Sequence, residues 1–121
     1  METHPSTQAA PESGVKSLIQ MISFRDDRPN VHLVYDAPGI RAALFCLKAG
    51  QVVEPHVAPM NVLMTVVRGH GWILVGEGGE LPVEAGDLVA CRPDEPHGMR
   101  APKDTDLVVL AVISAAPHPA H

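Results

Sequence analysis

The stretch GQVVEPHVAPMNVLMTVVRGHG, residues 50–71, carries the pattern on which the fold prediction depends. His56 lies in a proline-rich turn between two apolar runs, and the second run, residues 60–68, stops at Gly69. Short apolar runs bounded by glycine and proline are typical of β-strands. The stretch therefore predicts two strands joined by a turn that carries a histidine.

Similar runs fill the middle of the chain. They lie at residues 16–24, 31–36, 40–48, 71–76, 79–87, 88–92 and 106–114. Turn residues separate them at intervals of roughly ten residues, and no window has the caps and the apolar period of an amphipathic helix. The pattern predicts an all-β sandwich or barrel. Because residues 107–113 are apolar on both faces, that strand should lie in the middle of a sheet or against a partner subunit.

Length and charge exclude several classes of function. The chain has 121 residues, enough for one domain with one core, and aromatic residues are so scarce that Val, Leu, Ile, Met and Ala must build that core. The formal net charge is −5 without a run of Lys or Arg, which argues against nucleic acid and anionic membranes as partners. The longest apolar run, residues 107–116, is too short to cross a bilayer, and no secretory signal is present. We therefore expect a cytoplasmic protein.

The cysteines and the chain ends have simple interpretations. Cys46 and Cys91 lie within apolar runs, where buried, reduced thiols are expected. Residues 1–14 and 116–121 are polar, contain proline and lack periodicity. They are predicted to be disordered tails that flank a folded domain at residues 15–115.

Two stretches resemble the sequence motifs of the cupin superfamily. Residues 50–71 resemble the first motif, and GDLVACRPDEPHGMR, residues 86–100, resembles the second, with its glycine, its proline-containing turn and its histidine, His97. The resemblance is to small single-domain bacterial cupins. It implies an all-β fold, a single-domain cupin jelly-roll β-barrel, and it implies a homodimer.

The resemblance also implies a metal site with a reduced set of ligands. In the family pattern, two histidines and a glutamate of the first motif join one histidine of the second around a metal. His56 matches the first histidine and His97 matches the histidine of the second motif. Ala58 stands where the second histidine belongs, and Val62 stands where the glutamate belongs.

A substitute ligand would restore part of this set. Glu54 precedes His56 by two residues, so in an extended strand both would face the same way. Glu54, His56 and His97 would then form a two-histidine, one-carboxylate face for a divalent transition metal such as Fe, Mn, Ni, Cu or Zn. His70 and Cys91 are alternatives, although a solvent-facing turn histidine and a buried structural thiol are their ordinary roles.

Two methionines complete the predicted site. Met60 and Met64 follow the first motif histidine on one apolar run, and they are expected to line the cavity near the missing ligands as contacts for a cofactor or a small molecule.

Three hypotheses about function stay open at the level of sequence. The first is a metal-binding cupin with oxygenase- or isomerase-type chemistry, in which the metal acts as a Lewis acid or activates oxygen. The second is a metal-free module that binds a small molecule, with His56 and His97 as its polar contacts. The third is a structural or regulatory partner of another protein. No catalytic residue and no substrate can be named from these residues.

Overall fold

The computed structural model describes residues 13–115. All of residues 116–121, and all of the N-terminal stretch except Ser13 and Gly14, lie outside the described residues. The disordered tails therefore stay predictions, as do the domain bounds of 15–115.

Eight strands and one helical turn make up the described part of the chain. The strands are β1 (Asn30–Ala37), β2 (Ile40–Leu47), β3 (Val52–His56), β4 (Met60–Val75), β5 (Gly79–Glu84), β6 (Leu88–Cys91), β7 (His97–Arg100) and β8 (Leu107–Ala115). The helical turn, α1, is Leu18–Met21. The prediction of an all-β chain with little helix is confirmed. Among residues 13–115 no helix is long and apolar enough to cross a membrane.

The strands form one antiparallel sheet that curls into a barrel. Its order is β1-β2-β8-β4-β7-β3, and β5 and β6 pair with different halves of β4. β8 lies between β2 and β4. Two alternatives were open for the strand at residues 107–113, the middle of a sheet or a place against a partner subunit, and the first is confirmed.

β4 belongs to both halves of the barrel. Residues 60–69 pair with β8, whereas residues 70–75 pair with β5. The prediction that one strand stops at Gly69 is therefore wrong, because the strand continues and changes its partners there. Gly69 has a φ of 83°, and a Cβ atom at this position would overlap the carbonyl oxygen of Asp106. Glycine here allows a close crossing of two backbones.

Aliphatic side chains and methionines fill the interior of the barrel, as the scarcity of aromatic residues predicts. The fully buried side chains of this core include Leu47, Val62, Met64, Val66, Ile73, Met99, Leu107 and Val109. Burial of each such side chain contributes about 1.5–3 kcal/mol relative to exposure. Cys46 and Cys91 are both buried and free, which confirms the expectation of reduced thiols.

The N-terminal segment covers the outer face of the sheet without joining it. The prediction of a strand at residues 16–24 is wrong, because α1 and an extended coil occupy these positions. Met21, Ile22 and Phe24 pack on a second apolar cluster, which contains Leu44, Cys46 and Val108. The apolar pattern that resembled a strand thus reflects burial against the sheet and not hydrogen bonding within it.

Candidate functional site

The two motif histidines lie side by side on neighbouring strands of the barrel. β3 and β7 are antiparallel neighbours, and their register places His56 directly opposite His97. The centroids of the two imidazole rings are 4.6 Å apart, with an angle of 56° between the ring planes. Residues 41 positions apart in the chain are thereby brought into contact.

Both rings line a small apolar cavity, which we call the histidine cavity. Its wall consists of Phe45, Val53, His56, Val62, Met64, His97, Gly98, Met99, Ala111 and Ile113. The volume is about 30 Å³, enough for roughly one water molecule or one methyl group. His97 is only 4% exposed, whereas His56 is exposed. The pair therefore connects the cavity with solvent.

A backbone carbonyl oxygen lies close to Nδ1 of each ring. Nδ1 of His97 lies 3.1 Å from the carbonyl oxygen of Glu95, and Nδ1 of His56 lies 3.5 Å from that of Glu54. Because a carbonyl oxygen only accepts, Nδ1 is the donor in both contacts. In a neutral ring Nε2 then keeps its lone pair. The site thus offers two nitrogen lone pairs to a hydrogen-bond donor or to a metal ion.

A β-bulge in β3 decides which side chains reach this cavity. Val53 pairs with Met99 and His56 pairs with His97, so β3 has one residue more than β7 between these two pairs. The extra residue breaks the two-residue alternation, so Val53 and His56 both line the cavity.

Because of the bulge, the expectation that Glu54 and His56 face the same way is wrong. The Glu54 side chain is exposed and is not part of the cavity wall, so Glu54 does not share a face with His56. Pro55 fits this bulge because it has no N–H to donate to the ladder. Gly98 is needed opposite it, since a Cβ atom there would overlap the carbonyl oxygen of Val53 and would lie 2.9 Å from the nitrogen of Pro55.

The two alternative ligands lie elsewhere. His70 is exposed and lines a separate surface groove with Trp72, Glu84 and Asp87. Cys91 is buried in the core, and this burial raises the pKa of its thiol. Neither side chain lines the histidine cavity.

The remaining predicted positions divide between the cavity and its surroundings. Met64 and Val62 line the histidine cavity, whereas Met60 lines a larger groove beside it. Ala58 is not part of the cavity wall, and its carbonyl oxygen accepts a hydrogen bond from the backbone N–H of Asp94.

The paired tripeptides are a signal that the sequence predictions missed. Glu-Pro-His occurs at residues 54–56 and again at 95–97, and in both copies the histidine contacts the glutamate carbonyl two residues earlier. This repeat predicts like conformations for the two rings. Phe45, Val53 and Ile113, by contrast, could not be assigned to the cavity without the strand register.

The site provides two ligands for a metal ion and not three. Among residues 13–115 no three His, Cys, Asp or Glu side chains lie together in a way that could hold a metal. Two imidazoles bound to one ion at about 2.1 Å have ring centroids on the order of 4.5–5 Å apart, so the observed 4.6 Å fits such a pair. The residues present therefore fit part of a transition-metal site.

The fold is that of a small antiparallel β-barrel in which two neighbouring strands each place a histidine at one cavity. The family model for the cupin domain matches residues 43–113. The chain belongs to the cupin superfamily.

Solved structures show the same fold. TT1209 from Thermus thermophilus is 21% identical with a TM-score of 0.79, and the match covers 85% of this chain and 98% of that chain. A protein with a double-stranded β-helix domain from Klebsiella pneumoniae has the same identity, TM-score and share of this chain, with 90% of its own chain covered. An RmlC-like cupin from Desulfovibrio desulfuricans is 24% identical with a TM-score of 0.70, and the match covers 94% and 96% of the two chains. A comparison with curated proteins found no match.

Proposed function

We propose that this cupin binds a small molecule at the His56–His97 pair. The observation that carries the proposal is the pair of Nδ1 contacts to backbone carbonyls at the wall of an apolar cavity. In a neutral ring such a contact leaves Nε2 as an acceptor. A ligand hydroxyl or amine would donate to this pair. Sites of this kind combine an apolar wall with a few polar groups that orient the ligand.

The size and exposure of the site limit how such a ligand would be held. The histidine cavity has room for one small group only, since its volume is about 30 Å³. His97 lies at the buried end and His56 at the solvent end. The ligand would therefore insert its donor group and leave most of its body outside this cavity.

Histidine ring signals in NMR spectra test the proposal. We expect hexan-1-ol, which carries one donor on an apolar chain, to shift the Cε1–H signals of His56 and His97 in the wild type. The variants His56→Ala and His97→Ala should weaken binding about tenfold, because each removes an acceptor and part of the wall. His70→Ala is the matched control, since that exposed histidine lies in a different groove. Equal binding by all four proteins would refute the proposal.

A divalent transition metal is the second candidate. It is favoured by the 4.6 Å ring spacing and by Nδ1 contacts of the kind that orient metal-bound histidines. His56 and His97 would hold the ion, and it would supply Lewis-acid or oxygen-activating chemistry of the oxygenase or isomerase type. With two protein ligands, binding would be weak.

Titration of untagged protein with Zn²⁺ or Co²⁺ tests this second candidate. His56→Ala and His97→Ala should each abolish one binding event that His70→Ala retains. Histidines outside residues 13–115 are present in every variant, so adventitious binding there cancels in the comparison. A binding event that survives in both site variants would exclude the pair as the metal site.

A further inference from the structure

A second, larger cavity adjoins the histidine cavity. We call it the outer groove, and it has a volume of about 420 Å³. Its wall includes Asp36, Ile40, Arg41, Pro59, Met60 and Ile113. Ile113 also lines the histidine cavity, so the walls of the two spaces share this residue. The groove is large enough for the body of a small ligand, which the histidine cavity is not.

The strand register aligns the two spaces along one row of residues. Arg41 of β2 lies opposite Ile113 of β8, and Ile113 lies opposite Val62 of β4. Arg41 lines the outer groove and Val62 lines the histidine cavity. Neighbouring strands are about 4.8 Å apart, so the row spans roughly 10 Å from a cation, across an apolar residue, to the cavity that holds the imidazoles.

Arg41 supplies the positive charge in the wall of this groove, and its contacts with Asp36 are long. Its guanidinium contacts the carboxylate of Asp36 at 3.3 Å and 3.4 Å, longer than the 2.7–2.9 Å that is typical of charge-assisted hydrogen bonds. The two side chains are 59% and 46% exposed. An exposed pair of this kind contributes little to stability, so Arg41 can exchange Asp36 for a carboxylate of a ligand.

We infer that the outer groove and the histidine pair together take a small carboxylic acid. Its carboxylate pairs with Arg41, its apolar chain lies over Met60 and Ile113, and a hydroxyl or amine at its far end donates to His56 and His97. The inference rests on the proposed function and adds the chemical class of the ligand. Arg41 is then a specificity-determining residue.

Three probes separate the two ends of the ligand. The probe 6-hydroxyhexanoate has both end groups, hexanoate lacks the donor, and hexan-1-ol lacks the carboxylate. Binding to the full-length protein is followed by the methyl NMR signals of Met60 and Ile113. The wild type should bind 6-hydroxyhexanoate at least severalfold more tightly than either of the other probes.

Variants of the ion pair give opposite effects. Arg41→Gln should weaken binding of both carboxylates by about fivefold to tenfold and leave hexan-1-ol unchanged, as expected for the loss of a partly exposed charged partner. Asp36→Asn should tighten carboxylate binding severalfold, because it removes the competing carboxylate. Arg25→Gln is the matched control, since Arg25 forms a comparable exposed pair with Asp27.

The outcomes distinguish this inference from the proposed function. If Arg41→Gln and Asp36→Asn leave carboxylate binding unchanged, or if the wild type binds neither carboxylate, the inference is overturned even where hexan-1-ol binds. If the ion-pair variants act as expected but His56→Ala does not affect binding of 6-hydroxyhexanoate, Arg41 binds the carboxylate without the histidine pair. The joint site is then overturned, and the proposed function fails with it. Two results obtained without any probe would also overturn the inference. If the methyl NMR signals of Met60 and Ile113 change with protein concentration, a second copy of the chain occupies the groove. If these signals change when residues 116–121 are removed, that segment occupies the groove.

Discussion

At the scale of single residues, Val62 gives the wall of the histidine cavity an apolar side chain instead of a carboxylate. Its side chain is 2% exposed and lines the histidine cavity, at the position where the family pattern has a glutamate. Methyl groups there favour an apolar ligand, whereas a carboxylate would add a third metal ligand beside His56 and His97. One substitution should therefore change the chemistry of the site.

We predict that Val62→Glu destabilises the metal-free protein by roughly 2–4 kcal/mol, because a carboxylate replaces buried methyl groups. Added Zn²⁺ should bind more tightly than in the wild type and recover part of the loss. Thermal melting with and without Zn²⁺ measures both effects. Leu81→Glu, a change of apolar residue to carboxylate at a position that is 42% exposed, should show neither effect. Zn²⁺ affinity equal to that of the wild type would show that position 62 does not face the pair.

The sequence allowed part of the site to be predicted. His56 and His97 could be paired because each matches one motif, and the strand geometry of a barrel brings the motifs together. Glu54 could not be placed correctly from the sequence, because the bulge at Pro55 shifts the two-residue alternation of side chains by one. Arg41 carries no local signal, since only the register of three strands brings it to the outer groove.

At the scale of elements, the bulge in β3 depends on β7 having glycine at position 98. Gly98 lies between the inward-facing His97 and Met99, and the backbone of residues 53–55 passes directly over it. Any side chain at this position would push β3 away from β7. Gly98 therefore permits the close approach of β3 and β7, the two strands that carry the histidines.

We predict that Gly98→Ala costs roughly 2–4 kcal/mol of stability and moves His56 away from His97. Urea unfolding measures the free energy, and changes in the histidine ring signals of the folded variant report the movement. Gly14→Ala serves as the control, since a Cβ atom there has no neighbour within 4 Å. If Gly98→Ala is as stable as the wild type with unchanged ring signals, the close approach of the two strands is wrong.

The strand boundaries show how far element prediction can go from residues alone. β1, β2 and β8 begin and end within one or two residues of the predicted runs, because turn residues bound them on both sides. The predictions for β4 and for the N-terminal segment are wrong for different reasons. Glycine at position 69 does not end a strand when another backbone needs close passage, and alternation at residues 16–24 arises equally from a coil that packs on a sheet.

At the scale of the whole molecule, one face of the sheet stays apolar beyond the area that the N-terminal segment covers. A row across four strands joins Ala42, Val112, Leu63 and Ala90. Leu63 is 44% exposed, and Leu88 in the neighbouring row is 60% exposed. An apolar sheet face of this kind is typical of a protein–protein interface, so we expect the homodimer implied by the family resemblance to form through this face.

We predict that the protein sediments as a dimer of the 12.9 kDa chain and that Leu63→Glu shifts the equilibrium towards the monomer. A carboxylate in the centre of an apolar interface loses its hydration without gaining a partner. Analytical ultracentrifugation over a range of concentrations measures the change. Leu81→Glu is matched in chemistry and exposure, at 42%, and lies on β5 away from this face, so it should stay dimeric. A monomeric wild type at high concentration would refute this assignment.

The reactivity of the two thiols measures the packing on both faces of the sheet, because Cys46 and Cys91 lie on opposite faces. Cys46 packs in the outer cluster under the N-terminal segment, and Cys91 packs in the inner core. Burial raises the pKa of both thiols above the ordinary value of 9.0, since it disfavours the thiolate.

The sign of the resulting pH dependence follows from the direction of these shifts. The stability associated with the thiols is fully present below the unfolded-state pKa near 9 and is lost as the pH rises from there towards the higher pKa of the folded state. We therefore predict that the free energy of unfolding falls between about pH 9 and pH 10.5, and that the double variant Cys46→Ala, Cys91→Ala shows a smaller fall. Urea unfolding at several pH values measures the slope.

Ellman's reagent supplies an independent check at pH 8, where both thiols should react slowly in the folded protein and rapidly in urea. Rapid reaction of either thiol in the folded protein would contradict the packing of the sheet face on which that cysteine lies.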